Sequence, residues 1–291
     1  MRLSNFLKTV LLSLIVAVFP VQASDIADAM EAGDFSRVQE LIRDGVDVNE
    51  PQVDGATALH WASQWNDAQS ARQLIRAGAE ANVANRTNAT PLQLAAINGS
   101  ADMLSILLEA GANPNATVTF TQDTPLMLAA KTGIPDAVEV LIEHGADVNA
   151  METWGRTTPL MWAVAEGHTE VAALLIEEGA DIEARTVFIP PDTTRGFEGP
   201  PPRDRLLDEI GAIQHASGEM TALHFAARDG YLDTVELLVD AGVDIDAVVA
   251  DGKDAIGLAI FNGHYDVASV LIDSGADVNQ ADARGFTPLF W

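Results

Sequence analysis

A regular repeat governs this 291-residue sequence. Its clearest marker is a glycine that opens a variation on Gly-Ala-Asp-Val-Asn. The marker glycines are almost evenly spaced, except for one interval that is nearly twice as long as the others, and they are Gly45, Gly78, Gly111, Gly145, Gly179, Gly242 and Gly275. A fixed period of about 33 residues is typical of a protein built by stacking one small structural unit.

A second marker, in phase with the first, predicts where helices begin. In each unit a residue with a side-chain oxygen precedes Pro or Ala and then Leu or Ile. These residues are Thr57, Thr90, Thr124, Thr158, Thr221, Asp254 and Thr287. Such an oxygen accepts a hydrogen bond from a free amide of the first helical turn, and proline fits the position that follows. The sequence therefore predicts a short first helix after each of these caps.

A third marker predicts the end of that first helix. About nine positions after the cap stands a residue that tolerates a left-handed backbone, namely Gly33, Asn66, Gly99, Gly133, Gly167, Gly230 or Gly263. An acidic residue commonly follows three positions later, where it favours the start of a second helix. Each unit is thus two short antiparallel helices and a turn. Because one unit cannot bury its own apolar face, the units must stack into a solenoid.

The segment Thr-Pro-Leu-Met-Trp-Ala-Val-Ala-Glu-Gly-His-Thr-Glu-Val at 158–171, followed by Gly-Ala-Asp at 179–181, resembles the ankyrin repeat almost position for position. The resemblance implies an all-α ankyrin-repeat solenoid of helix-turn-helix units with protruding β-turn fingers over residues 24–291. We count about seven repeats and an eighth that begins at Thr287 and stops at Trp291. A break inside a first helix would leave the preceding unit uncovered, so we expect this chain to be a fragment of a longer protein.

A proline-rich insertion at 186–219 accounts for the long interval between Gly179 and Gly242. Its prolines favour extended backbone, and residues 203–214 could form a brief helix. The insertion is either an enlarged surface loop whose helix rests on the solenoid or an arm that contacts a partner. The sequence favours the loop, because loops tolerate insertions at little cost, but long loops are often functional.

Residues 1–23 have the features of a secretory signal peptide. Arg2 and Lys8 precede an apolar run at 10–19, and small residues at 21–23 offer a cleavage site before Ser24. The run is too short to span a bilayer. The absence of cysteine excludes disulfides and a lipoprotein anchor. We therefore predict a bacterial protein that is periplasmic or secreted, with no membrane insertion after signal removal.

Charge and motif content argue against several functions. The sequence has 43 acidic and 16 basic residues, a net charge of −27 that repels nucleic acid. It lacks dinucleotide, P-loop, serine-hydrolase and zinc-protease motifs. Five of its six histidines occupy repeat positions and are interpreted as structural, and only His215 does not. We expect a monomer that is not an enzyme, with no catalytic residue, cofactor or metal site.

The resemblance implies that a partner protein is bound by the finger turns and by the inner face of the first helices. The residues at those positions are Trp65, Ile97, Phe120, Lys131, Trp154, Arg156, Lys253, Phe261 and Phe286. Aromatic and arginine side chains dominate interface hot spots. The alternative for each is packing on its own repeat. Trp61, Trp162 and Phe225 stand where the family has a core leucine, and they are predicted to pack.

The sequence thus favours an exported, non-catalytic protein-interaction scaffold that binds another protein. One alternative is the docking module of a longer enzyme whose catalytic domain lies beyond residue 291. Another is a scaffold whose acidic surface binds cations or a basic polymer. The affinity of such binding would fall steeply with added salt.

Overall fold

The computed structural model describes residues 25–117, 122–187 and 218–290, and these residues form seven pairs of α-helices. The first helices are α1 (Asp25–Glu31), α3 (Ala58–Gln64), α5 (Pro91–Ile97), α7 (Pro125–Ala130), α9 (Pro159–Ala165), α11 (Ala222–Asp229) and α13 (Ala255–Phe261). The second helices are α2 (Phe35–Arg43), α4 (Ala68–Arg76), α6 (Ala101–Glu109), α8 (Pro135–Glu143), α10 (Thr169–Glu177), α12 (Leu232–Asp240) and α14 (Tyr265–Asp273). A 3-10 turn, Pro288–Phe290, follows α14. The predicted all-α repeat architecture is confirmed.

The predicted caps begin the first helices. Thr124 and Thr158 each accept a hydrogen bond from the third residue of the helix they precede, at 3.3 Å. Asp254 does the same for the amide of Gly257 at 2.7 Å. Proline opens α5, α7 and α9. A first helix was also expected after Thr287. The described residues there form only the short 3-10 turn.

The residue between the two helices of each unit has a left-handed backbone, as predicted. Asn66 has φ +54°, and Gly133 has φ +72°. A Cβ atom at Gly133 would also lie 2.4 Å from the imidazole of His168 in the next repeat. Glycine is therefore required at 133 by both the backbone and the neighbouring side chain.

The units stack through their first helices, each of which packs on the next. Ala62, Ala95 and Ala129 are completely buried in these contacts, and the side chain of alanine allows helices to approach closely. The leucine or isoleucine two positions after the caps of α3, α5, α7, α9, α11 and α13, such as Leu59, is buried in one continuous apolar cluster. The core is therefore a row between repeats, which no single repeat could form alone.

The stack is continuous across the insertion. Helix α9 packs on α11, and α10 packs on α12. At the base of the insertion, the Thr186 amide donates to the Met220 carbonyl at 3.0 Å, and the Glu219 amide donates to the Thr186 carbonyl at 3.2 Å. Residues 188–217, which include the predicted helix and His215, lie outside the described residues, as do the predicted signal peptide at 1–23 and Trp291.

Side chains in the turns join each repeat to the next. The Asn49 amide donates to the Gly78 carbonyl at 2.9 Å, and its oxygen accepts from the Glu80 amide at 2.8 Å. The same two bonds are made by Asn82, Asn115 and Asn149. We call each such pair an asparagine bridge. At the junction that spans the insertion, Glu183 instead accepts from the Asp244 amide at 2.6 Å.

Candidate functional site

The candidate site is the side of the first helices that meets the finger turns. It is formed by the fourth, seventh and eighth residues after each cap, and we call it the inner face. The fourth residues make an apolar row across six repeats, namely Trp61, Leu94, Leu128, Trp162, Phe225 and Leu258. Trp162 is buried, whereas Trp61 and Phe225 are half-buried and pack against the core. The row therefore forms the floor of the inner face.

The N-terminal part of the inner face exposes large apolar side chains. Trp65 at the end of α3 is 55% exposed, and its ring stacks on Trp61 with a centroid distance of 6.3 Å. Ile97, at the end of α5 in the next repeat, is also 55% exposed. Both were predicted as contact residues, and the structure places them at the surface of adjacent repeats.

Two carboxylates border this aromatic pair. The Trp61 indole N–H donates to the Gln52 Oε1 atom at 2.7 Å. The Gln52 Nε2 group donates to Asp28 Oδ1 at 2.8 Å and to Glu31 Oε2 at 2.7 Å. Sequence reasoning missed these acids and Gln52. The repeat period does point to the acids, because Asp28 and Glu31 lie one period before Trp61 and Gln64 and therefore occupy equivalent inner-face positions.

The middle of the inner face holds a lysine over a tryptophan. Lys131 Nζ lies 3.6 Å from the centroid of the Trp162 ring and 3.4 Å from Asp123 Oδ2. The side chain of Lys131 is therefore fixed by a ring and a carboxylate of its own protein. Its predicted contact role would require a partner to bind this fixed cation.

The finger that carries Trp154 and Arg156 is ordered by a carboxylate. Glu152 is buried and accepts from the amides of Trp154 at 2.6 Å and Gly155 at 2.5 Å. Its Oε1 atom also accepts from the Thr157 amide at 3.2 Å. These bonds hold Arg156 at φ +56° and leave it and Trp154 exposed at the tip.

The C-terminal part of the inner face exposes Phe261, which is 58% accessible. Lys253 forms an ion pair with Asp251, and its Nζ atom lies 5.7 Å from the Phe261 ring centroid. Phe286 stacks on Phe290 at 4.3 Å and is half-buried. The remaining predicted contact residue, Phe120, lies outside the described residues.

Two of the described histidines, His60 and His224, join neighbouring repeats through hydrogen bonds. The Nδ1 atoms of His60 and His224 accept from the amides of Thr57 and Thr221, both at 3.0 Å. Their Nε2 atoms bond to carbonyls of the next repeat at 3.1 and 2.9 Å. Burial lowers the pKa of His60, and it lowers the pKa of His224 to about 4. Both rings are therefore neutral at pH 7 and join repeats.

Residues 25–117, 122–187 and 218–290 contain neither a metal-binding cluster of side chains nor a helix that could span a membrane. No group of three or more histidine or acidic side chains there is arranged to hold a metal ion. No helix in these segments has the length and apolar content needed to cross a bilayer.

A family model of ankyrin repeats matches the sequence in three segments, at residues 26–118, 115–186 and 204–290. These segments cover most of the chain. The chain belongs to the ankyrin repeat family. Ankyrin repeats generally mediate protein–protein interaction, and ankyrin domains are typically non-catalytic modules.

Solved ankyrin repeat domains have the same fold. The ankyrin repeat domain of human ASB11 is 25% identical with a TM-score of 0.68, covering 87% of this chain and 99% of that domain. The ankyrin repeat domain of Bcl-3, described as a unique member of the IkappaB protein family, is 27% identical with a TM-score of 0.64, covering 81% of this chain and 94% of that domain. Among curated protein sequences, no match to this chain was found.

Proposed function

We propose that this ankyrin protein is an exported, non-catalytic scaffold that binds a partner protein through its finger turns and inner face. The observation that carries the proposal is the exposure of Trp65, Ile97 and Phe261 at the ends of first helices whose other apolar side chains are buried or half-buried. Large apolar residues clustered at a surface are typical of protein-binding sites.

The exposed residues are not needed to build the solenoid. The apolar cluster between repeats is formed by fully buried residues such as Leu92 and Leu126. Trp65 and Ile97 lie at the helix ends beyond that cluster. Their side chains are therefore available for a contact that would remove them from water, at roughly 25 cal/mol for each Å² of apolar area.

Export is proposed from the sequence of residues 1–23. A charged start, an apolar run and a small-residue cleavage site together favour secretion, which would place the scaffold in the periplasm or outside the cell. The test is the N-terminal sequence of the protein recovered from the exported fraction. A start at Ser24 supports the proposal, and a protein retained in the cytoplasm with Met1 intact contradicts it.

Partner binding is tested by affinity capture from the exported fraction. The bait is the wild-type protein, a Trp65→Ser/Ile97→Ser variant, and a control with Tyr265→Ser/Ile272→Ser. The control residues are exposed apolar side chains of a second helix, outside the inner face. We expect a specific protein to be lost with the first variant and retained with the control. Equal capture by both variants would contradict a role for the inner face.

A further inference from the structure

The N-terminal part of the inner face combines aromatic rings with carboxylates. We call it the acidic aromatic surface, and it consists of Asp28, Glu31, Gln52, Trp61, Trp65 and Ile97. Building on the proposed function, we propose that this surface binds a basic segment of the partner protein. An arginine or lysine of that segment stacks on Trp65 and pairs with the carboxylates of Asp28 and Glu31.

The two carboxylates converge on one point. A single nitrogen, Gln52 Nε2, donates to both Asp28 Oδ1 and Glu31 Oε2. The other end of the same amide accepts from the Trp61 indole, so Gln52 fixes the acids relative to the stacked rings. Both acids are exposed. Two neighbouring negative charges repel each other, and a cation placed beside them relieves that repulsion.

Three other places, formed by the inner face and the adjoining finger turns, show the complete arrangement within the chain. Lys131 lies over Trp162 and contacts Asp123. Arg228 lies over Phe225, with its Cζ atom 5.0 Å from the ring centroid, and it pairs with Asp229 at 2.7 Å. Lys253 lies near Phe261 and pairs with Asp251. In each case a cation joins an aromatic ring to a carboxylate.

The acidic aromatic surface has the rings and the carboxylates, and none of its six residues is basic. Helices α1, α3 and α5 contain no lysine or arginine, whereas α1 carries Asp25, Asp28 and Glu31. A basic side chain of a partner that pairs with Glu31 and stacks on Trp65 would form the arrangement that the later repeats build internally. Tryptophan offers the most favourable ring face for such a cation.

The partner segment is basic and apolar for two further reasons. The net charge of −27 attracts cationic chains and repels nucleic acid. Ile97, exposed at the end of the first helix of the next repeat, adds a second large apolar side chain to this surface. A protein segment that alternates basic and apolar side chains fits both features.

The test uses two 12-residue synthetic peptides, one alternating arginine with leucine and one in which citrulline replaces every arginine. Citrulline keeps the shape of the side chain and removes its charge. Binding to the purified protein is followed by fluorescence anisotropy at pH 7 in low salt. We expect the arginine peptide to saturate and the citrulline peptide to bind at least about tenfold more weakly.

Three variants locate the site. Trp65→Ala and Glu31→Gln are each expected to weaken the arginine peptide by roughly fivefold. Tyr265→Ala is the matched control, because Tyr265 is an exposed aromatic residue on a second helix, outside the inner face. It is expected to leave the affinity unchanged. Thermal unfolding of each variant confirms that the fold is retained.

Two results would overturn the proposal. The citrulline peptide could bind as tightly as the arginine peptide, or all variants could bind equally, which would reveal non-specific attraction to an acidic protein. If neither peptide bound while partner capture still depended on Trp65 and Ile97, the proposed function would stand and the basic segment would be wrong. If the arginine peptide bound as expected while no partner were captured, the chemistry of this surface would stand without the scaffold function.

Discussion

Two neighbouring repeats differ in the side chains at the start of the first helix and in how these bond to the repeat that follows. In one, His224 fills the space behind its cap, accepts from the Thr221 amide at 3.0 Å and bonds to the Ala247 carbonyl of the next repeat at 2.9 Å. In the next, Asp254 replaces the threonine and Gly257 replaces the histidine. Asp254 Oδ1 accepts from the Gly257 amide, but in the described part of the chain its buried Oδ2 atom has no hydrogen-bond partner.

The difference shows what the histidine contributes. Where it is replaced by Gly257, a space of about 10 Å³ remains beside Asp254, Gln280 and Pro288. Burial raises the pKa of Asp254, because a buried carboxylate loses its hydration. The cap still starts the helix, but the side-chain bond to the following repeat is absent. The His224 junction is therefore expected to be more stable at pH 7 than the Asp254 junction.

Removing the ring of His224 should have the largest effect. His224→Ala leaves a cavity and deprives the Thr221 amide and the Ala247 carbonyl of their partner. We expect the free energy of unfolding to fall by about 3 kcal/mol, measured by urea denaturation at pH 7.

The matched control is His224→Gln. Gln93 already occupies the equivalent position, where it accepts from the Thr90 amide at 2.8 Å and donates to the Ala116 carbonyl at 2.9 Å. The glutamine variant should therefore lose less than about 1 kcal/mol. Equal losses in the two variants would show that these bonds do not stabilise the junction.

Lowering the pH should weaken the His224 junction. In the folded protein this histidine has a pKa of about 4, whereas in the unfolded chain it titrates near 6.5. Below pH 6.5 the unfolded chain gains a proton that the folded protein does not bind, so stability is lost as the pH falls toward 4. Between pH 7 and 5 the wild type should lose about 2 kcal/mol more than His224→Gln. Parallel pH profiles for the two proteins would contradict this assignment.

Repairing the Asp254 junction should give the smallest effect, with the opposite sign. Asp254→Thr keeps an oxygen for the Gly257 amide and removes the buried carboxylate. We expect a gain of about 1 kcal/mol at pH 7 in urea denaturation. The gain should shrink on acidification, because the raised pKa lets the folded wild type take up a proton and thereby gain stability.

The control for this repair is the reverse change, Thr158→Asp, at a cap that is 2% exposed. It should destabilise the protein at pH 7. An Asp254→Thr variant that is less stable than the wild type would show that the buried carboxylate does not destabilise the protein. A gain in stability that did not depend on pH would show the same.

The period predicted the helix pairs, the caps and the left-handed residues, because each depends on local backbone chemistry that one repeat contains. The period also predicted one solenoid over residues 24–291, and the packing of α9 on α11 across the insertion agrees with it. The resemblance implied that Lys131 and Lys253 are contact residues, with packing on their own repeat as the alternative. The structure holds both against their own carboxylates and rings, a pairing that the periodic pattern does not encode.

The candidate site was only partly visible in the sequence. Exposure of Trp65 and Ile97 follows from their place at the ends of first helices. The role of Gln52 depends on a turn folding back over α1 and α3, and its amide reaches two helices at once. The repeat period shows that Asp28 and Trp61 occupy equivalent positions of neighbouring repeats. It does not show that the Gln52 side chain bonds to both.

The asparagine bridges have an evolutionary consequence. Asn49, Asn82, Asn115 and Asn149 join neighbouring repeats through the turns, whereas the exposed inner-face residues stand at other positions of the same unit. Substitution of Trp65 or Ile97 therefore leaves these bridges intact. Ligand choice and architecture can diverge separately, so a lineage can acquire a new specificity while inheriting the same framework.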